Sequence, residues 1–170
     1  MHKSIFIING PATAGKDTFV SMVSSIVPTI NYSSVQVVKE AASLLGWEGG
    51  KSEKDRKFLA DMKFLSTEYS DAPYKSMEKK IFEFLEDEIH EMLFLHIRER
   101  AEIERMVKEY PMIRTILVTR SGVAPITSNS ADAQVYDWSY DFVIDNSGTL
   151  GDLKSVAKEF VDDINNKEVM

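Results

Sequence analysis

Ser4-Ile5-Phe6-Ile7-Ile8-Asn9-Gly10-Pro11-Ala12-Thr13-Ala14-Gly15-Lys16-Asp17-Thr18 is the stretch whose reading decides the fold. Its first five residues, Ser4–Ile8, form a continuous apolar run, the pattern of a strand covered on both faces in a parallel sheet. Asn9-Gly10-Pro11 stops that run. Phe19, Val20, Val23 and Val27 then recur at helical spacing until Pro28 ends the helix. Between strand and helix lies G-x-x-x-x-G-K, in the structural context that a phosphate-binding loop requires. The glycines let backbone N–H groups converge on phosphate oxygens, and the helix N-terminus adds its partial positive charge. Lys16 can then reach the outer phosphates. Gly10, Pro11, Ala12, Thr13, Ala14, Gly15, Lys16, Asp17 and Thr18 are therefore the candidate nucleotide-binding residues. A plain glycine turn would need neither the lysine nor this spacing.

The position after Lys16 normally carries Ser or Thr, whose hydroxyl holds Mg²⁺. Here it is Asp17, and a carboxylate can hold the ion directly or through water, with Thr18 sharing the task. The competing reading of Asp17 is a first-turn residue stabilised by the helix dipole.

Outward from this stretch, short apolar runs alternate with helical segments. Thr29–Ser33 is a candidate second strand, and Val35–Leu45 a helix closed by Gly46. In Ser52–Tyr69 the spacing predicts a helix with one apolar stripe: Phe58, Leu59, Met62, Leu65 and Tyr69. Pro73 starts another, with Met77, Ile81, Leu85 and Ile89 in line. Met92–Leu95 reads as a strand, Ala101–Tyr110 as a helix broken by Pro111, and Ile113–Val118 as a strand. Arg120–Asp141 is irregular and reads as a long loop. Phe142–Ile144 is a short strand, and Thr149 with Asp152 resembles a helix N-cap. The last helix carries Leu153, Val156, Ala157, Phe160, Val161 and Ile164 on one face. This alternation predicts an α/β fold with a mostly parallel sheet. Ligands then belong at the carboxyl ends of the strands, after Ile8, Leu95, Val118 and Ile144.

Composition narrows the functional classes. With 170 residues, one domain spanning 1–170 is expected, large enough for an unstapled core. The net charge of −7 argues against binding a nucleic acid polymer, because nothing would neutralise phosphates over a broad surface. No cysteine is present, which excludes disulfide frameworks and thiolate catalysis. No apolar run approaches the ~20 residues of a membrane span or the ~7–15 of a signal sequence. A soluble, cytoplasmic protein with no membrane association is expected.

Gly15-Lys16-Asp17-Thr18 is the form of phosphate loop found in phage-type deoxynucleoside monophosphate kinases, and the sequence resembles that family at later points. His96-Ile97-Arg98, with Glu99 and Glu102, stands where the family has Asp-x-Arg followed by Glu. Asn146-Ser147-Gly148 matches the family's Asn-x-Gly loop before the last helix. Arg56 corresponds to an arginine early in a mid-chain helix. The resemblance implies the nucleoside monophosphate kinase fold: five parallel strands, an acceptor-binding helical segment (34–91) and a mobile lid (120–141). It implies ATP and Mg²⁺ as cofactors, with Asn146 and Gly148 bordering the adenine. Dephospho-coenzyme A kinases and some phosphomevalonate kinases are similar at this level. The chain departs from the pattern at His96, where an acidic residue would help hold Mg²⁺; neutral imidazole is a poor ligand for that ion. Arg120 is also the only cationic residue between Thr119 and Lys154, a thin lid.

Arg98, at a strand's carboxyl end, suits bidentate phosphate recognition, the alternative being a salt bridge to Glu99 or Glu102. Arg120 is placed alike, either to stabilise charge on the moving phosphoryl group or as a surface residue. Arg56 and Lys63 share a helix face and form either a basic wall for an acceptor phosphate or a solvated surface. Lys79 with Glu83 reads as an ordinary i,i+4 pair. No convincing His–carboxylate pair is legible, which counts against hydrolases but not against a kinase whose acceptor oxygen is already anionic. The expectation is ATP-dependent transfer to a small phosphorylated acceptor, a nucleoside or deoxynucleoside monophosphate. Lys16, Arg98 and Arg120 would be catalytic; Arg56, Lys63 and Arg98 would bind the acceptor. The alternatives are another phosphate monoester such as dephospho-coenzyme A, or a nucleotide sensor that barely turns over. Oligomeric state is left open.

Overall fold

A computed structural model describes residues 3–122 and 135–167. Strand β1 runs Ser4–Asn9 and is buried along its whole length. It is followed by α1 (Lys16–Ser24), β2 (Thr29–Ser33), α2 (Gln36–Leu44), α3 (Glu53–Ser70) and α4 (Ala72–Glu86). Then come β3 (Met92–His96), α5 (Arg100–Glu109), β4 (Arg114–Thr119), β5 (Phe142–Asp145) and α6 (Leu150–Lys167). The chain forms an α/β fold around a five-stranded parallel sheet in the order β2-β3-β1-β4-β5. In the parallel register, Ile8 lies opposite His96, Asn9 opposite Leu117, and Thr119 opposite Asp145. The carboxyl ends of β1, β3, β4 and β5 therefore share one edge. The connection after β1 leads toward β2 and that after β4 toward β5, in opposite directions. This reversal of strand order marks the crevice where such sheets bind ligands.

The chain divides into two compact units, 1–31 with 87–170, and 32–86. In the sheet unit, Phe6 and Ile8 face a core shared with Phe19, Val20 and Val23 of α1 and Leu153, Ala157, Phe160, Val161 and Ile164 of α6. Ile5 and Ile7 are equally buried on the opposite face, which is why β1 reads as an unbroken apolar run. Phe160 is the hub of this core. Its ring centroid lies 5.1 Å from Phe6, 5.5 Å from Phe19 and 5.4 Å from Phe142. Edge-to-face pairs of this kind add about 0.5–1.5 kcal/mol each beyond burial. Arg114 spreads its guanidinium over Phe6 and donates to Ser4 Oγ, so it is structural.

Helix starts follow the residues available. Ser52 and Asp55 form a reciprocal capping box on α3. Thr149 and Asp152 do the same on α6, where hydrogen bonds from Thr149 hold the Asp152 carboxyl below the usual carboxylate range. α1 differs: its N-cap is Gly15, at φ +92°, which has no side chain to donate or accept.

In the second unit α2, α3 and α4 pack together. Two sequence expectations need correction here. On α4 the buried positions are Pro73, Tyr74, Met77, Ile81 and Phe84, while Leu85 and Ile89 are exposed. Steps of four residues drift about 40° around a helix each time, so Phe84 lies closer to the Met77 line than Leu85 does. The helix also ends at Glu86, before Ile89. There Asp87 Oδ1 accepts the backbone N–H groups of Ile89 and His90, which place His90 in a turn just past the helix. On α3 no residue is fully buried. Phe58, Leu59 and Met62 are partly covered, whereas Leu65 and Tyr69 are exposed. The stripe exists, but its last two residues lie open to solvent. Lys79 pairs with Glu83 as expected, and Lys80 joins them.

Most of the loop expected over 120–141 lies at 123–134, outside the described residues. Its described end is anchored: Thr115 accepts from Trp138 Nε1 and from Asp141 N, and Asp141 Oδ2 accepts from Thr115 N and Oγ1. Among the described residues, no helix is long and apolar enough to cross a membrane.

Candidate active site

The loop Gly10–Gly15 leaves β1 at the carboxyl edge and enters α1. Gly10, at φ +150°, is a close approach: a Cβ there would stand 2.3 Å from the Val118 carbonyl oxygen of β4. At Gly15 a Cβ would stand 2.2 Å from Asn146 Nδ2. Only glycine fits either position, for reasons of both space and φ. Pro11 and Ala14 close a turn through Ala14 N–H to Pro11 O, 3.2 Å. Thr13 sits at its tip with φ +65°, exposed, and Ala12 is partly buried. Asn146, itself buried, donates from Nδ2 to Ala14 O at 2.9 Å.

Lys16 Nζ donates to Gly10 O (2.6 Å) and Pro11 O (2.9 Å), which holds the ammonium over the loop. Asp17 projects from the first turn of α1, its carboxylate 89% exposed, and Thr18 is partly buried beside Gly15. Across the edge, His96 Nε2 stands 3.7 Å from Asp17 Oδ1. The fold thus assembles a His–carboxylate pair that sequence reasoning did not find, since its members are 79 positions apart. His90 Nδ1 and Asp87 Oδ2 make a second pair at 2.9 Å, in the turn past α4.

Arg120 and Arg98 follow β4 and β3, the strands on either side of β1. Arg120 is exposed between two anchored residues: Thr119 O accepts from Asn146 N at 2.8 Å, and Ser121 N donates to Ser147 Oγ at 2.8 Å. The Asn146–Ser147 turn therefore fixes both Arg120 and the glycine-rich loop. Gly148 makes room for the α6 cap, as a Cβ there would stand 2.7 Å from Asp152 Oδ2. Arg98 is exposed after β3, and its carbonyl is met by Asn9 Nδ2 at 3.4 Å. Arg56 and Lys63 lie on α3 in the second unit, Arg56 exposed and Lys63 partly buried.

Asn9 and Tyr140 were missed in the sequence. Asn9 is 1% exposed at the last position of β1. Its Oδ1 accepts the Gly10 N–H at 2.8 Å, and its Nδ2 donates to Tyr140 Oη at 2.9 Å. Tyr140 Oη in turn donates to Val135 O at 2.7 Å. Burial pushes the Tyr140 hydroxyl up to about 12, against the lowering effect of the bond from Asn9. One side chain thus ties the start of the loop to the Arg98 backbone and to the segment before β5. No local signal marks it, since its partner is 131 positions away.

No family model matches the chain, and no curated protein matches it. Solved structures do. An unliganded sugar kinase from Janibacter sp. aligns with a TM-score of 0.54 at 10% identity, covering 95% of each chain. A Thermus thermophilus protein aligns at 0.52 with 17% identity, covering 96% of this chain and 98% of its own. Shikimate kinase from Aquifex aeolicus aligns at 0.50 with 12% identity, covering 97% and 98%. At these identities the likeness is one of fold alone, shared with a sugar kinase and a shikimate kinase.

Proposed function

We propose that this protein is an ATP-dependent phosphotransferase acting on a small phosphorylated acceptor, a nucleoside or deoxynucleoside monophosphate. One observation carries the reading: the Gly10–Thr18 loop lies between the carboxyl end of β1 and a glycine-capped α1, with Lys16 Nζ held over it. Loop amides and the helix dipole favour phosphate there. A kinase fold and the resemblance of Asn146–Gly148 and Arg98 to nucleoside monophosphate kinases support the class of acceptor.

In this reading Lys16 neutralises the outer phosphates of ATP, and Arg120 stabilises charge on the phosphoryl group as it moves. Arg98 takes the acceptor phosphate. Catalysis is positioning plus electrostatics, because the acceptor oxygen is already anionic. Asp17, exposed beside Lys16, and Thr18 are the residues that would hold Mg²⁺, and an exposed carboxylate in that position fits a hard cation. When bound, the ion would offset negative charge on the phosphates.

The test is ADP release from ATP, with Mg²⁺ or Mn²⁺, against nucleoside and deoxynucleoside monophosphates and dephospho-coenzyme A. Stimulation by a monophosphate supports the reading. Stimulation by dephospho-coenzyme A alone would replace the acceptor, and nucleotide binding without any stimulation would make the protein a sensor.

A further inference from the structure

Asn9 ends the central strand β1 and is almost wholly buried. Two of the groups around its amide have fixed character. The Gly10 N–H, 2.8 Å from Oδ1, can only donate, and the Arg98 carbonyl, 3.4 Å from Nδ2, can only accept. The amide therefore has one orientation: turned over, it would set its NH2 against an N–H and its oxygen against an oxygen. The second proton on Nδ2 goes to Tyr140 Oη at 2.9 Å, which obliges that hydroxyl to accept from Asn9 and to give its own proton to Val135 O. A chain of donors with one direction thus runs from Asn9 to the buried Val135, and it fixes the amide from the far side.

The carbonyl held by Asn9 lies between buried Ile97 and Glu99, the N-cap of α5. One side chain therefore sets the backbone of Arg98 relative to the first amide of the glycine-rich loop. A misplacement of about 1 Å between groups that share a substrate can cost as much as 10²-fold. We propose that Asn9 is a positioning residue for the acceptor: it holds Arg98 at the distance from the loop that an acceptor phosphate requires. This rests on the reading of Arg98 as the group that takes the acceptor phosphate, and deepens it by naming what places that arginine.

The experiment is a double-mutant cycle on the full chain, with ATP saturating and each nucleoside and deoxynucleoside monophosphate varied in turn. Asn9→Asp keeps the size of the side chain and an oxygen for the Gly10 N–H, but its carboxylate offers the Arg98 carbonyl no donor. Asn9→Ser is the uncharged counterpart, too short to reach that carbonyl. Each should raise the acceptor KM about three- to tenfold, the range that one lost hydrogen bond supports, with a smaller change in kcat. Placed on Arg98→Ala, the same substitutions should add nothing to the acceptor KM, because the group they position is gone. A wild-type acceptor KM in both Asn9 variants would overturn the proposal. So would a rise of equal size with and without Arg98, which a merely structural role for Asn9 would give. Arg98→Ala with a wild-type acceptor KM would remove Arg98 from the site and the proposal with it, while leaving phosphoryl transfer standing. Wild-type protein that releases no ADP in response to any monophosphate would overturn the reading of the acceptor itself.

Discussion

Asn146 Nδ2 donates to the Ala14 carbonyl at 2.9 Å, joining the turn before α6 to the glycine-rich loop across 132 positions of sequence. The same Nδ2 occupies the space that a side chain at Gly15 would need. Gly15→Ala should therefore displace Asn146 and strain a φ of +92°, and nucleotide affinity should fall sharply by calorimetry. Adding Asn146→Gly should restore part of the loss, because it removes the clash but not the backbone strain. Purely additive losses would show that the two residues do not share this contact.

The loop was legible because its residues are consecutive and its glycines are needed for local reasons. β1 and the Thr149–Asp152 cap were legible for the same reason, β1 running one residue past its expected end; α1 begins at the loop as expected but stops at Ser24, three residues short of Val27. Asn9, Tyr140 and the His96–Asp17 pair were not, since each contact joins distant segments. The α3 stripe failed differently. Periodicity shows which face of a helix is apolar, and Leu65 and Tyr69 do lie near that line, but it says nothing about whether anything covers them.

The two arginines should separate kinetically. Arg120→Ala should lower kcat by about 10³ or more with little change in acceptor KM, as loss of a guanidinium from the transferring phosphoryl does in related enzymes. Arg98→Ala should chiefly raise the KM for the acceptor. Steady-state kinetics with both substrates varied decides this, and equal effects on both parameters in both variants would undo the assignment.

Tyr140 should make the fold sensitive to alkali. Its hydroxyl titrates near 12 in the folded chain and near 10 in the unfolded one. The neutral hydroxyl is thus favoured by folding, and its stabilisation is complete below pH 10 and lost as pH rises from 10 to 12. Tyr140→Phe should cost about 1 kcal/mol at neutral pH. It should also flatten the decline in stability above pH 10, measured by urea unfolding across that range.

Burial separates two phenylalanines that composition treats alike. Phe160→Ala, at the centre of the aromatic core, should cost about 3–5 kcal/mol. Phe64→Ala, on a side chain 65% exposed on α3, should stay within about 0.5 kcal/mol. Guanidinium unfolding of both variants tests the core assignment.

The central claim is that Lys16, held over the Gly10–Thr18 loop, neutralises the outer phosphates of ATP while a phosphoryl group passes to the acceptor. Transfer of label from [γ-³²P]ATP, followed by chromatography of the acceptor, reads that step and separates it from simple ATP hydrolysis. Wild-type protein should move label onto a nucleoside or deoxynucleoside monophosphate and convert it to the diphosphate. Lys16→Ala, with unchanged circular dichroism, should move none. Label transfer at the wild-type rate in Lys16→Ala would contradict the account.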